Sequence, residues 1–351
     1  MKKVLETTKK DIRQLSLSQL EAFFEEVGEK KFRARQVYEW LWKKSAHHFE
    51  TMTNLSLPLR KLLAEHFEIR ALTIHQKQIS GDGTLKFAFQ LYDGHLIEGV
   101  LIPADDRMTA CVSSQVGCSL TCKFCATGYM KRMRNLTPAE IYDQVVLIRQ
   151  QALQHYNLPL SNIVFMGMGE PLLNYQNVMQ GIEHLTSPEG LQMAAKRIIV
   201  STAGIAKMIK KMGDEGQKCN LALSLHAADD EKRKEIMPIN ESNTLEALAE
   251  ALRYYYQKTK KQVTFEYIVF HHFNDTLQDA EALYRFTKHV PSKVNIIEYN
   301  PIEEADFTNT AEDKLAAFAR YLEQKGVVVK VRRSRGKDID AACGQLAVKE
   351  T

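Results

Sequence analysis

The chain has 351 residues, of which 44% are hydrophobic and 26% are charged, and its formal net charge is +4. This composition fits a large catalytic domain with a smaller accessory domain, and it excludes a disordered protein. The chain has no apolar run long enough to span a bilayer and no N-terminal apolar stretch of the secretory kind, so we expect a cytoplasmic protein without a membrane partner.

Residues 1–75 are predicted to form a helical domain. Ser18 and Glu21 have the spacing of a capping box before an amphipathic helix, and Gly28 is a typical residue to end it. A second helix is predicted over residues 33–44. The segment contains 14 Lys and Arg against 10 Asp and Glu. This excess indicates either an RNA-docking module or an ordinary solvated helical surface, and charge alone favours the second.

Residues 76–107 are predicted to form a β-hairpin linker. The turn at residues 80–83, Ser-Gly-Asp-Gly, separates two strand-like runs at residues 76–79 and 85–92. The catalytic domain is expected to follow, over residues 108–351.

This third segment alternates short β-rich runs with longer helical patterns. One helix is predicted to begin after Thr137, because Pro138 and Glu140 are typical of a first helical turn. The alternation is typical of an α/β fold of the TIM-barrel kind, and six or seven units replace the usual eight. We therefore predict a partial, laterally open (β/α)6-type barrel. Its strand-like runs after residue 125 are 162–167, 197–202, 220–226, 264–270, 293–300 and 327–332.

Cys118, Cys122 and Cys125 have the spacing C-x3-C-x2-C, which resembles that of the radical S-adenosylmethionine (SAM) superfamily. A cubane iron–sulfur cluster held by three thiolates keeps one iron open, and that iron can bind a small molecule and pass it an electron. A structural zinc site with Cys111 as fourth ligand is the alternative. It is less favoured, because zinc sites usually combine two short Cys-x2-Cys pairs.

Polar or glycine-rich breaks follow several of the predicted strands. In barrels of this kind, catalytic and ligand-binding residues lie at the carboxyl ends of the strands. Glycine at such a position allows a ligand to approach the backbone, and the carboxylate of Glu170 can accept hydrogen bonds from the ligand. Each break alone is weak evidence, and their shared position on one face strengthens it. The residues at the breaks are Gly169, Glu170, Ser201, Gly204, Ser224, His226 and Asn300.

Three cysteines lie outside the triplet. Cys219 precedes an apolar strand and is interpreted as a buried small hydrophobic residue. Cys111 ends a strand, and Cys343 precedes Gly344 in a segment expected to turn tightly. Two thiols near the barrel mouth suggest covalent catalysis followed by disulfide formation, although they could also be incidental.

Long motifs of the chain resemble the RlmN/Cfr family of radical SAM RNA adenine methyltransferases over nearly its whole length. The motifs are VGEKKFRARQ at 27–36, CVSSQVGC at 111–118, FMGMGEPLLN at 165–174, SLHAADDEKR at 224–233, MPIN at 237–240 and RRSRGKDIDAACGQL at 332–346. The resemblance implies a helical N-terminal RNA-recognition domain, a partial barrel of the radical SAM kind, a [4Fe-4S] cluster and two SAM molecules for each methyl group transferred.

The resemblance also implies residue roles. Cys343 would receive a methyl group from one SAM, and a radical made from a second SAM would activate that methyl group to add to the adenine. Glu98 would accept the ring proton, although as a residue it is only a charge in a strand pattern. Cys111 would attack the Cys343 sulfur, release the base and form a disulfide. The positions matching SAM-binding residues of the family are Gly169, Glu170, Ser201, Ser224, Leu225, His226 and Asn300.

The implied substrate is carbon 2 of adenine 2503 in 23S ribosomal RNA, with the adenine beside the anticodon of some transfer RNAs as a second target. Pro171 and Arg335 resemble the carbon-2 branch, and a Cfr-type carbon-8 enzyme that confers antibiotic resistance is the alternative. Flavodoxin is the kind of reductant implied, and we expect a monomer. Two other classes also stay open: a radical SAM enzyme acting on a protein or metabolite, and a non-catalytic zinc protein that binds RNA.

Overall fold

The computed structural model describes residues 9–348, so residues 1–8 of the predicted N-terminal domain and 349–351 of the barrel segment lie outside it. None of the helices in the described part is long and apolar enough to cross a membrane. The helices are α1 (Leu17–Glu26), α2 (Phe32–Trp42), α3 (Leu57–His66), α4 (Pro138–Tyr156), α5 (Tyr175–Thr186), α6 (Ala206–Asp214), α7 (Asp230–Ile236), α8 (Leu245–Thr259), α9 (Leu277–Thr287) and α10 (Glu312–Gln324).

The strands form one large sheet and two small ones. Their bounds are β1 (Lys10–Asp11), β2 (Phe67–Glu68), β3 (Thr73–Ile79), β4 (Leu85–Gln90), β5 (Leu96–Ala104), β6 (Arg107–Cys111), β7 (Gln115–Val116), β8 (Arg134–Asn135), β9 (Leu160–Phe165), β10 (Ile198–Thr202), β11 (Asn220–Ser224), β12 (Val263–Ile268), β13 (Ser292–Ile297) and β14 (Val329–Arg332).

The large sheet is an open barrel. Its ten strands have the order β14-β13-β12-β11-β10-β9-β6-β5-β4-β3. Strand β6 is parallel to β9, and strands β9 to β14 are parallel to one another. The edge strands β3 and β14 are not paired with each other, so the barrel does not close. The parallel strands β9 to β12 are mostly buried and apolar, as strands inside a parallel sheet are, whereas the edge strand β14 is largely exposed. The predicted partial barrel is confirmed.

The first helix, α1, begins two residues earlier than predicted. The capping box of α1 is made by Ser16 and Gln19, not by Ser18 and Glu21: the Ser16 hydroxyl accepts from the Gln19 N–H at 3.2 Å, and the Gln19 side chain accepts from the Ser16 N–H at 2.9 Å. Both pairs have the spacing that a capping box requires. The helix begins at the earlier pair, with Leu17 as its first residue. Gly28 ends α1 with a positive φ of 77°, as predicted.

The strands of the predicted hairpin extend the barrel sheet. β3 and β4 are antiparallel and are joined by the turn at residues 80–83, and β5 and β6 continue the antiparallel pairing up to the first parallel strand. The turn also holds the C-terminal segment. Asp338 accepts hydrogen bonds from the Ser80 hydroxyl and the Gly81 N–H, and the Gly336 N–H donates to Asp82 at 2.9 Å. The hairpin therefore positions residues 336–338.

Candidate active site

A cavity of about 150 Å³ opens at the carboxyl ends of strands β9 to β13. Parallel strands present their carboxyl ends at the same face of a barrel, where ligands of such folds bind. The three clustered cysteines and Cys343 share this cavity. Other lining residues are Phe124, Gly169, Glu170, Ser201, Ser224, His226 and Glu266.

The cysteine loop is anchored from two sides. Phe124 packs edge-on against His226, with ring centroids 4.7 Å apart, and lies 5.8 Å from Phe270 in a small aromatic cluster. On the other side, the Ala126 N–H donates to the carbonyl of Gly344 at 2.7 Å. The loop and the Cys343 turn are therefore held together directly.

The three thiols fit a cubane cluster. Burial raises the pKa of all three, that of Cys118 to about 11, so they would lose their protons on binding metal. Within residues 9–348, no three His, Cys, Asp or Glu side chains already converge as ligands of one ion. A cubane does not need such convergence, because each thiolate binds a different iron. Cys111, the fourth ligand of the zinc alternative, does not line the cavity.

Gly169 and Glu170 shape the wall beside the cluster loop. Gly169 has a φ of +90°, and a Cβ there would lie 2.5 Å from the Cβ of Gln115. Glu170 is buried, and its two carboxylate oxygens accept backbone N–H bonds from Leu172 at 2.9 Å and Ala203 at 2.8 Å. Burial raises its pKa. Glu170 thus ties the end of β9 to the end of β10, where the Thr202 side chain also stabilises the carboxylate.

Ser201, Ser224 and His226 line the next part of the wall. The two serine hydroxyl oxygens lie 3.4 Å apart on neighbouring strands. His226 has a φ of 56°, and its Nδ1 accepts from the Ile268 N–H at 3.1 Å. Burial, with Arg233 nearby, lowers the pKa of His226 to about 3. The ring is therefore neutral, its proton lies on Nε2, and it can donate one hydrogen bond to a bound ligand.

Leu225 and Asn300 do not line the cavity. Leu225 is fully buried, and its N–H and carbonyl are occupied by Glu266 at 3.0 Å and by Arg233 at 3.1 Å. The side-chain amide of Asn300 donates to the carbonyl of Cys343 at 3.1 Å, and its Oδ1 is buried without a partner. Both residues support the wall from behind.

Cys343 and Cys111 are neighbours. Cys343 is exposed at the cavity, whereas Cys111 is buried at the end of β6, and no described cysteine is in a disulfide. Burial is the main cause of the raised pKa of Cys111. Cys343 raises that pKa further, because two thiolates close together repel each other. Dense protein surroundings also raise the pKa of Cys343 to about 11, while Arg332 opposes the shift.

Glu98 lies on β5, close to Cys111 but outside the cavity lining. It is 6% exposed and forms an ion pair with Lys86, whose Nζ lies 2.9 Å from Oε1. Burial raises the pKa of Glu98, and Lys86 opposes that shift. The carboxylate is thus held in place by a buried cation.

Sequence reasoning missed three charged residues here. Glu266 lines the cavity, and its Oε2 is buried without a hydrogen bond, 3.9 Å from Arg332. Arg233 is fully buried and donates to the carbonyls of Leu225 and Ala203. The third is Lys86. For Glu266, the available signal was an acidic residue inside the otherwise apolar strand β12.

Two family profiles match the chain. The ribosomal RNA large subunit methyltransferase N-terminal domain matches residues 10–69, and the radical SAM superfamily matches residues 112–287. The probable dual-specificity RNA methyltransferase RlmN of Cytophaga hutchinsonii is 66% identical over 345 residues, which covers 98% of this chain and 94% of that protein. The dual-specificity RNA methyltransferase RlmN of Geobacter sulfurreducens is 44% identical over 336 residues, with coverages of 96% and 91%.

A solved structure agrees with this likeness. A radical SAM methyltransferase from Sphaerobacter thermophilus superposes with a TM-score of 0.91 at 38% identity, covering 97% of this chain and 100% of that one. The open barrel, the cysteine loop and the adjoining cavity define a radical SAM methyltransferase, an enzyme whose cofactors are a [4Fe-4S] cluster and SAM. The sequence identity to RlmN proteins, which extends over almost the full length of the chain, identifies the family within this class of enzymes. The chain belongs to the RlmN family of RNA methyltransferases.

Proposed function

We propose that this enzyme methylates carbon 2 of adenine 2503 in 23S ribosomal RNA and the adenine beside the anticodon of some transfer RNAs. It would act in the cytoplasm, as a monomer, and use two SAM molecules for each methyl group. The observation that carries the proposal is the shared cavity: the Cys343 thiol opens onto the same space as Cys118, Cys122 and Cys125, with Cys111 beside it.

This arrangement suits a carbon that ordinary methyl transfer cannot reach. Carbon 2 of adenine lies between two ring nitrogens and is electron-poor, so it does not attack the methyl group of SAM. A thiolate does. Cys343 would lose its proton and take the methyl group, forming a carbon–sulfur bond as the sulfonium bond of SAM breaks. The chemistry supplied by a bound cluster is one-electron transfer, to a second SAM at the start and from the adenine adduct at the end.

Release of the product would then fall to Glu98 and Cys111. Glu98 would accept the proton of carbon 2, which restores the aromatic ring of the tethered base. Cys111 would attack the Cys343 sulfur, so that a sulfur–sulfur bond forms, the sulfur–carbon bond breaks and the carbon takes a proton. The disulfide must be reduced before the next cycle, so the enzyme needs a reductant, for which a flavodoxin-like electron carrier is suited.

Basic side chains beside the cavity suit an RNA substrate. Arg332 ends β14, and Arg333 and Arg335 follow it; all three are exposed at the same end of the barrel as Cys343. Arginine binds phosphate through two parallel hydrogen bonds, and such contacts make affinity depend on salt. The N-terminal domain supplies further exposed cations, among them Lys31 and Arg35.

The test is mass spectrometry of nucleosides from 23S ribosomal RNA and transfer RNA, after anaerobic reaction with reconstituted enzyme, SAM and dithionite. We expect 2-methyladenosine, its loss in Cys343→Ala, and its retention in Cys219→Ala, because Cys219 is buried away from the cavity. Finding 8-methyladenosine would make this a Cfr-type enzyme. Cleavage of SAM without any methylated adenosine would refute the proposed substrate.

A further inference from the structure

A buried ion pair joins two neighbouring strands at the edge of the active site. The Nζ of Lys86 on β4 lies 2.9 Å from Oε1 of Glu98 on β5, and each side chain is only 8% exposed. Glu98 is the only acidic residue in an ion pair with Lys86 in the part of the chain that the structure describes. Leu85 and Phe87 on either side are fully buried, so the lysine lies in an otherwise apolar strand.

The backbone of Glu98 is fixed independently of this pair. Its N–H points at Sδ of Met168, 3.2 Å away, and its carbonyl accepts from the Ser113 hydroxyl at 2.6 Å. A Cβ on the next residue, Gly99, would lie 3.2 Å from the carbonyl oxygen of Cys111, so β5 packs closely on that residue. The side chain of Glu98 is held by Lys86, and its other oxygen, Oε2, is buried without a hydrogen-bond partner.

Glu98 also faces the segment that carries Cys343. The N–H of Ala347 stabilises its carboxylate, and Asp340 acts on it electrostatically. On the other side, Val100 of β5 pairs with Cys111, and Glu98 lies two residues along on the same face of the strand. The carboxylate therefore lies between the end of β6 and residues 340–347.

We propose that Lys86 is a positioning residue for the reaction: it keeps the buried carboxylate of Glu98 ionised and oriented to accept the proton of the adenine adduct. This inference rests on the proposed function. Burial raises the pKa of Glu98, Asp340 adds to the rise, and Lys86 and the Ala347 N–H oppose it. Without the lysine, burial and Asp340 would be opposed only by one backbone N–H, and the pKa of the Glu98 carboxyl group would rise further.

Stability alone does not explain the lysine. Exchange of a buried ion pair for apolar residues of similar volume is often neutral or stabilising. A lysine in the middle of β4 is therefore better explained by the ionised carboxylate that it maintains.

The C2–H bond of the radical adduct breaks, its proton goes to Glu98, and its electrons stay in the ring, from which one electron passes to the oxidised iron–sulfur cluster. Glu98 then gives the proton to water. The cycle begins again with an ionised carboxylate beside Lys86.

The test follows the covalent RNA–protein adduct in Lys86→Met, Lys86→Gln and Lys86→Arg. Reconstituted enzyme reacts anaerobically with SAM, dithionite and a 23S ribosomal RNA fragment, and samples are resolved on denaturing gels between pH 6 and pH 9. In the first two variants we expect normal Cys343 methylation and 5′-deoxyadenosine formation. Adduct decay should be about 10- to 100-fold slower at pH 7, because each unit by which a pKa rises above the solution pH lowers the ionised fraction about tenfold. Their decay should recover as pH rises, because a higher pH ionises Glu98 again. Lys86→Arg should remain close to wild type.

Two controls separate this role from a structural one. Lys77→Met removes an exposed lysine of the neighbouring strand β3 and should leave adduct decay unchanged. In a Glu98→Gln background, Lys86→Met should slow decay no further, because the group it serves is already lost.

The proposal would be overturned by wild-type decay in Lys86→Met and Lys86→Gln, or by slowing that is equal at every pH and not rescued by arginine. Failure of both variants to fold would overturn it too, since the pair would then be a folding requirement. If wild-type enzyme forms neither adduct nor methyladenosine, the proposed function itself fails.

Discussion

The side-chain amide of Asn300 donates a hydrogen bond to the main-chain carbonyl of Cys343, 3.1 Å away. On the opposite side, the Ala126 N–H donates to the carbonyl of Gly344 at 2.7 Å. Gly344 has a φ of +87°, which lets the chain turn sharply between these two supports. The end of β13 and the cysteine loop thus fix the exposed thiol together.

Loss of the hydrogen bond from the Asn300 side chain to the Cys343 carbonyl should slow the methylation of Cys343. In Asn300→Ala, we expect the rate to fall about 10- to 100-fold, because misplacement of a reacting atom by about 1 Å has effects of that size. Intact-mass measurement at several SAM concentrations tests this. A defect abolished by saturating SAM would instead assign Asn300 to SAM binding. Asn162→Ala, at the amino-terminal end of β9, is the control and should methylate normally.

Gly169 should tolerate alanine poorly. Its φ is +90° and a Cβ would meet the Cβ of Gln115 at 2.5 Å, whereas Gly216 has a φ of +60° and open space around it. Gly216→Ala should cost about 1 kcal/mol of unfolding free energy from backbone strain alone. Gly169→Ala should cost at least about 2 kcal/mol, because overpacking is added. Denaturant unfolding of the two apoproteins measures both losses. An equal loss of unfolding free energy in the two variants would show that the residues around Gly169 shift to accommodate the Cβ.

His184 should make stability depend on pH. Its ring stacks on Trp42 at 3.6 Å, and burial, aided by Arg13, lowers its pKa to about 4. The unfolded state titrates near 6.5, so below that pH it binds a proton that the folded state does not. Unfolding free energy should fall by about 2 kcal/mol more between pH 7 and pH 5 in the wild type than in His184→Phe. The same pH dependence in both proteins would exclude this assignment.

The junction between the N-terminal domain and the barrel should depend on Arg13. Its Nη1 lies 2.8 Å from both carboxylate oxygens of Asp143 on α4, and both residues are buried. Arg13→Met should lower the unfolding free energy by about 3–5 kcal/mol, because it strands a buried carboxylate. Adding Asp143→Leu should restore part of the loss. A double variant less stable than the single one would contradict this explanation, and Lys210→Met, at an exposed pair, serves as the control.

The barrel and much of the cavity wall could be predicted from local sequence. The strand runs, the cap at Thr137 and the glycine before Glu170 are each encoded within a few residues, and the structure has them. The predicted start of α1 was wrong because Ser16 and Ser18 each begin a capping-box pattern, and the local spacing does not distinguish them; the structure uses Ser16. Leu225 lies behind the wall, since its alternation with Ser224 and His226 turns it away.

Lys86 could not be predicted, for a reason of distance along the chain. In β4 it alternates with Leu85 and Phe87, which local patterning interprets as a solvent face opposite an apolar one. Residues 336–347 cover that face, and they come about 250 positions later. Burial produced by a remote segment leaves no periodic signal near the residue that it buries.

The superfamily match ends where the chemistry particular to this family begins. It spans residues 112–287, whereas Glu98 and Cys111 precede it and Asn300 and Cys343 follow it. The shared part thus contains the radical-generating apparatus, and the two flanks contain the residues proposed to carry the methyl group and release the product. With this division, the residues that act on the substrate can change in the two flanking segments while the residues that generate the radical are preserved between them.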